Sequence, residues 1–124
     1  MSPEQLVAAA LAARAFWVPL PDGRRVRLRR PSEYDVRSMV RRDAGGKVTS
    51  IAADLPDVKR FAVDWEGFRE CDIVPNGAGD PVAFDAEVFG VWVEDRRDAL
   101  ATLAQALVDA VIAHETAQIA TAKN

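Results

Sequence analysis

Hydrophobic positions along the chain change their period several times, and each change marks a predicted element. Residues 3–14 are an alanine-rich run in which Leu6, Val7, Ala10, Leu11 and Ala13 make a broad, shallow stripe. Ser2-Pro3-Glu4-Gln5 supplies a capping serine, a proline at the first helical position and an S-x-x-Q capping box, so a helix starts here. Its small side chains bury little area, and residues 1–14 read as a loosely docked helix or a partner-binding arm. From Ala15 the period shortens. Phe16-Trp17-Val18-Pro19-Leu20 is strand-like, Pro21-Asp22-Gly23 is a turn, and Arg24 to Arg30 alternates. In that return run Arg25, Arg27 and Arg29 take one face and Val26 and Leu28 the other, the pattern of a half-buried strand with its apolar side inward. Asp-Gly between two such runs is a strong hairpin signal. Pro19 lacks an amide donor and marks the first strand as an edge.

Ser32 and Asp35 form an S-x-x-D cap, which predicts a helix running to about Asp43. Val36, Met39 and Val40 would face inward, and Gly45-Gly46 would stop it. Residues 15–44 would then be a β-β-α unit. Residues 47–55 fit either a short strand or a loop. Val58, Phe61, Ala62 and Trp65 recur at helical spacing, predicting a helix over 56–65 that Gly67 terminates. Breakers in Asp72 to Pro81 predict a loop. Asp85 caps the next helix, which runs to about Glu94 with Val88, Phe89, Trp92 and Val93 inward, and Phe84 can staple onto Phe89. Asp98 caps a helix over 99–118 whose wide face holds Leu100, Leu103, Leu107, Val108, Val111 and Ile112. The tail Thr121–Asn124 is expected to fray.

Taken together, the pattern predicts one α+β domain over residues 1–124. It has a small N-terminal β-hairpin and four to five helices, and is mainly α in its C-terminal half, with 56–120 as the helical part. Trp65, Phe68, Phe84, Phe89 and Trp92 are the predicted centre of the core. Hydrophobic residues make up 49% of the chain, enough to build that core. No apolar run approaches the roughly 18–20 residues of a membrane span. Glu4 and Gln5 stand where a secretory leader would carry positive charge. Cys71 is the single cysteine, which leaves no intrachain disulfide and fits a reducing, cytoplasmic compartment.

Charge adds an asymmetry that the net value of −3 hides. Residues 24–47 carry nine basic and three acidic groups, for +6, whereas residues 48–124 carry six basic and fourteen acidic groups, for −8. Such a bipolar chain either neutralises itself on folding or presents two faces to two partners. The arginine face of the hairpin would suit successive phosphates, but base stacking needs aromatics on the same face. Trp17 is the candidate there. The plainer expectation is that these arginines pair with the acidic half or with an acidic protein.

Catalytic chemistry finds little support. His114, the only histidine, falls near the end of the last predicted helix, where a solvated or dipole-complementing role is expected. Cys71 stands between Glu70 and Asp72, neighbours that disfavour a reactive thiolate. No Gly-rich phosphate loop, zinc spacing or nucleophile elbow is present. The carboxylates Asp64, Glu66, Glu70 and Asp72 cluster in sequence without matching a calcium loop, and read as a solvated acidic surface. The chain is expected to be no enzyme and to have no catalytic residue, cofactor or metal.

Val63-Asp64-Trp65-Glu66-Gly67-Phe68 is followed, after a polar loop, by Asp80-Pro81-Val82-Ala83-Phe84-Asp85-Ala86-Glu87 and a helix. This arrangement resembles the phage tail assembly chaperones, which carry a "WEG" segment, a "PxxF(S/D)xE" segment and a closing helix. The resemblance covers roughly residues 56–112 and leaves residues 1–14 and the basic hairpin unaccounted for. It implies a non-enzymatic, mostly helical phage or prophage protein of the host bacterial cytoplasm. Its partner would be a tape-measure or tail-tube protein, met as a monomer or small oligomer. Candidate partner-binding residues are Arg25, Arg27, Arg29, Asp64 and Glu66. Two readings from other classes stand beside it: a nucleic-acid-associated protein using the arginine hairpin, and a structural head–tail or tail-completion component.

Overall fold

The computed structural model describes residues 1–123, and the fold follows from where its strands find partners. Helix α1 (Pro3–Ala13) leads into β1 (Ala15–Pro19) and β2 (Arg25–Arg29). A second, two-stranded sheet holds β3 (Val40–Arg42) and β4 (Val48–Ile51). Then come α2 (Leu55–Phe61), β5 (Ala62–Glu66), a single turn α3 (Glu70–Ile73), α4 (Ala86–Glu94) and α5 (Arg97–Lys123). Among the described residues, five α-helices and five strands make this an α+β protein, with helix dominating the C-terminal half.

The hairpin forms as its alternation requires. Val18 pairs with Val26 and Phe16 with Leu28 on the inner face, and Trp17 pairs with Arg27 on the outer one. The three-residue turn Pro21–Gly23 carries Asp22 at φ 66° and Gly23 at φ 75°, the left-handed region that asparagine-like and glycine residues tolerate. β1 is an edge strand, as its proline demands.

Two expected helices are corrected. Residues 32–43 are not a helix. A short 3-10 turn (Asp35–Ser38) drops Met39 into the interior, and Val40-Arg41-Arg42 then runs antiparallel to Val48–Ile51. Gly45-Gly46 therefore turns a second hairpin, with Gly46 at φ 82°, and residues 15–44 are not a β-β-α unit. Likewise the helix expected over 56–65 stops at Phe61. Ala62–Glu66 becomes β5 and pairs with β2, so the first sheet has the order β1-β2-β5. A bulge opposite Arg27/Leu28 lets both Ala62 and Trp65 face inward despite their odd spacing. Local helical spacing loses here because β2 would otherwise expose an unpaired edge above a buried face.

The inner face of the three-stranded sheet (Val18, Val26, Leu28, Ala62, Trp65) packs on Val58 and Phe61 of α2, Phe89, Trp92 and Val93 of α4, and Leu103 and Leu107 of α5. Trp65 stacks on Phe68 at 4.1 Å and meets Phe84, Phe89 and Trp92 edge-on at 5.7, 6.1 and 6.4 Å. These five aromatics are the predicted core centre, with Phe84 at its half-buried margin. The Trp65 indole Nε1 donates to the Val82 carbonyl oxygen at 2.8 Å, and the Val82 amide donates to the Phe68 carbonyl oxygen at 3.0 Å. Asp85 caps α4 through the Glu87 and Val88 amides, and Phe84 sits 5.9 Å from Phe89, as the staple requires. Helix α5 begins at Arg97 and continues through Thr121–Lys123, which were expected to fray; Asn124 lies outside the described residues. Only Leu103, Leu107 and Val111 of its apolar face are fully covered, and Ile112 is exposed.

Candidate functional site

The pairing of β5 with β2 gathers all five candidate residues on the outer face of one sheet. Arg25 lies opposite Glu66 and Arg27 opposite Asp64, while Arg29 lies opposite Ala15 on β1. Asp64 was expected inside the helix over 56–65 and Glu66 just past its end; both sit instead on a strand. Arg25 donates from Nε to a Glu66 carboxylate oxygen at 2.7 Å, with its NH2 group 2.6 Å from the same oxygen. Its guanidinium also lies over the Trp17 ring at 4.0 Å, and that of Arg27 reaches the same ring at 5.9 Å. Asp64 turns back to accept from the Trp65 amide at 2.8 Å. The face is thus a ladder of Glu66, Arg25, Trp17 and Arg27, closed at the Glu66 end and open toward Arg29.

Self-neutralisation, the plainer expectation for the basic half, is realised in part. Arg24 reaches Asp72 at 3.5 Å and Arg41 reaches Asp54 at 2.8 Å, whereas Arg60 of the acidic half pairs with Asp35 of the basic half at 2.8 Å. Lys59 pairs with Glu94 across α2 and α4. These bonds also dismantle the carboxylate cluster: Glu66 and Asp72 each serve a different arginine, and Asp72 further accepts from the Arg69 amide. Among the described residues no group of acidic, histidine or cysteine side chains converges as a metal would need. Cys71 is exposed.

Arg14 and Arg30 come together where α1 enters β1, a pairing that local sequence pattern does not single out, while Arg29 stays on the outer face. Arg14 ends the helix, Arg29 faces Ala15, and the Arg30 amide donates to the Arg14 carbonyl oxygen at 2.8 Å. Partial burial and then the neighbouring Arg14 hold the Arg30 guanidinium below its ordinary value, with Glu33 acting the other way. His114 points to the same end. Its Nε2 is 3.6 Å from a Glu33 carboxylate oxygen and otherwise unpartnered. It is half-buried, and α5 runs nine residues beyond it, so it does not complement a helix terminus as expected.

Two helical surfaces leave the body at this end. No residue of α1 is buried, and Leu6 and Val7 are 55% and 60% exposed. Beyond Val111, α5 extends for about 18 Å by its helical rise, with Ile112 and Ile119 open. No helix among the described residues is long and apolar enough to cross a membrane. No protein-family model matches the chain, and neither a curated protein nor a solved structure shows significant similarity to it.

Proposed function

We propose that the chain is a non-catalytic protein-binding module of phage or prophage origin, acting in tail assembly in the manner of the tail assembly chaperones. It would hold a tape-measure or tail-tube protein in the host cytoplasm, as a monomer or small oligomer. The observation that carries the reading is the contrast between a finished core and two unfinished helices. α1 and the far part of α5 keep apolar side chains in water that a partner can cover. The "WEG" and "PVAFDAE" stretches support it in another way. They pack on each other through Trp65, Phe68, Val82 and Phe84, so their resemblance concerns the architecture of the joint rather than a contact surface.

The test is co-expression with a long coiled-coil-like protein encoded at the same locus, followed by pull-down at about 50 and 500 mM salt. Retention at both, with the long partner kept in solution, is the expected result. Aggregation of the partner regardless of this chain would remove the chaperone reading. The nucleic-acid reading keeps one observation in its favour: Trp17 does share the arginine face. Against it, Arg25 already covers that ring and is neutralised by Glu66, and Asp64 and Glu66 would repel a phosphate backbone. Retention on single-stranded DNA that falls steeply with salt would favour it.

A further inference from the structure

Resting on the protein-binding reading, the end of the molecule where α1 meets the sheet defines the chemistry of the partner more closely. From Leu6 to Ala13 the helix has no charged side chain, and Leu6, Val7 and Leu11 are all open. At its C-terminal end stand Arg14 and Arg30, neither of which forms an ion pair with a carboxylate among the described residues. The Arg30 amide bonds the Arg14 carbonyl oxygen, and the Arg30 NH1 group has only the Pro31 carbonyl oxygen, at 2.9 Å. The two guanidiniums repel one another, and the uncharged helix that ends in Arg14 leaves its stripe wet. Each half of the surface lacks what the other cannot supply.

We propose that α1 and the Arg14–Arg30 pair at its end form one docking surface for a helical segment of a partner protein. The partner's apolar stripe covers Leu6, Val7 and Leu11, and carboxylates at one of its ends meet the guanidiniums. A helix suits because the side-chain ridges of a second helix pack into the grooves between those of α1. Carboxylates suit because guanidinium forks bind them through two parallel bonds. Nucleic acid does not suit the stretch Leu6–Ala13, which offers a phosphate backbone no side-chain donor and a base no aromatic face. A second copy suits poorly as well. Antiparallel α1 helices would set only one Glu4 against two guanidiniums, and parallel ones would set arginine against arginine.

The probe is a synthetic amphipathic peptide of about twenty residues with a leucine stripe and four glutamates at one end, supplied in both orientations. Binding is read by fluorescence anisotropy, beside a peptide with lysines in place of the glutamates and a single-stranded DNA oligonucleotide. The glutamate peptide should bind at least about tenfold tighter than the lysine peptide. Leu6→Ser/Val7→Ser/Leu11→Ser and Arg14→Glu/Arg30→Glu should each weaken it about tenfold or more, and the second variant should gain affinity for the lysine peptide. Circular dichroism melts of both variants guard against loss of fold, and α1 makes no core contact whose loss would cause one. Binding untouched by either variant overturns this surface and leaves the protein-binding reading standing. No binding of either glutamate peptide, preference for the oligonucleotide, or self-association lost in the Leu6/Val7/Leu11 variant overturns the partner chemistry itself.

Discussion

Around Trp65, the rings of Phe68, Phe84, Phe89 and Trp92 lie with centroids no more than 6.4 Å from its own, and its indole hydrogen bond is satisfied by Val82 in the segment leading to α4. Along α1, eleven residues of nearly uncharged sequence bury nothing. Both stretches are apolar, so hydrophobicity alone did not decide which became core. The difference lies in side-chain size and in partners. Each large aromatic buries roughly 150–250 Å², enough to offset the ordering of several residues, whereas an alanine stripe offers little area to a neighbour. Trp65 also has a partner strand on its own element, while α1 reaches the body only through Arg14 and Ala15. A helix of this length is marginal alone in water, so α1 depends on its capping box and proline start.

The contrast can be broken at the joint first. Trp65→Ala should cost about 3–5 kcal/mol in chemical denaturation, the range for removing a buried large aromatic; a loss under about 1 kcal/mol would mean the core closes without it. Gly67→Ala comes next, at about 2–3 kcal/mol, because φ is 82° there and an added Cβ would lie 2.7 Å from the Gly23 carbonyl oxygen. Its thermal midpoint should fall with the turn of the first hairpin, and an unchanged melt would deny that the two turns bear on each other.

A third test uses acid. Burial alone would push the Asp35 carboxyl up, but hydrogen bonds from Ser32 and the Arg60 guanidinium outweigh it and hold the group below its ordinary value. A carboxyl depressed by folding adds stability above the usual carboxylate range, and that stability is lost as pH falls through its folded value. Asp35→Asn should therefore flatten the drop in melting temperature below about pH 4. An equally steep drop would move the acid sensitivity elsewhere. The smallest effect belongs to α1: Leu6→Ser with Leu11→Ser should change global stability by less than about 0.5 kcal/mol. A larger loss would show that α1 packs on the body after all.

Where the sequence was legible, the signal was local. The Asp-Gly hairpin, the capping box at Ser2, the Asp85 cap and the Phe84 staple each depend on residues a few positions apart, and each formed. The misread segments depend on distant ones. Val36, Met39 and Val40 fit a helix by spacing, yet Val40–Arg42 is drawn into a strand by Val48–Ile51, whose own pattern fitted strand or loop. Trp65 continues a helical stripe from Val58, but β2 needs a second neighbour and β5 provides it. That same pairing assembled the candidate surface, since nothing in the local pattern sets Asp64 opposite Arg27. The place of Trp17 was more accessible, because the register of a three-residue hairpin sets it opposite Arg27 once the turn is recognised. The Arg14–Arg30 pairing needed the hairpin register and the end of α1 together.

The position of α5 in chain order has a consequence for how the molecule folds as it is made. The hairpin and the arginines around it emerge first, but the buried faces of Val26 and Leu28 are sealed by Phe89, Trp92, Leu103 and Leu107, more than sixty residues later. The strand that completes the sheet must first close a loop spanning the whole β3–β4 excursion. Until the middle of α5 has left the ribosome, the nascent chain therefore carries an exposed apolar sheet face under a dense positive charge. That state is prone to misassembly, and it lasts until α4 and the first half of α5 have docked on the sheet.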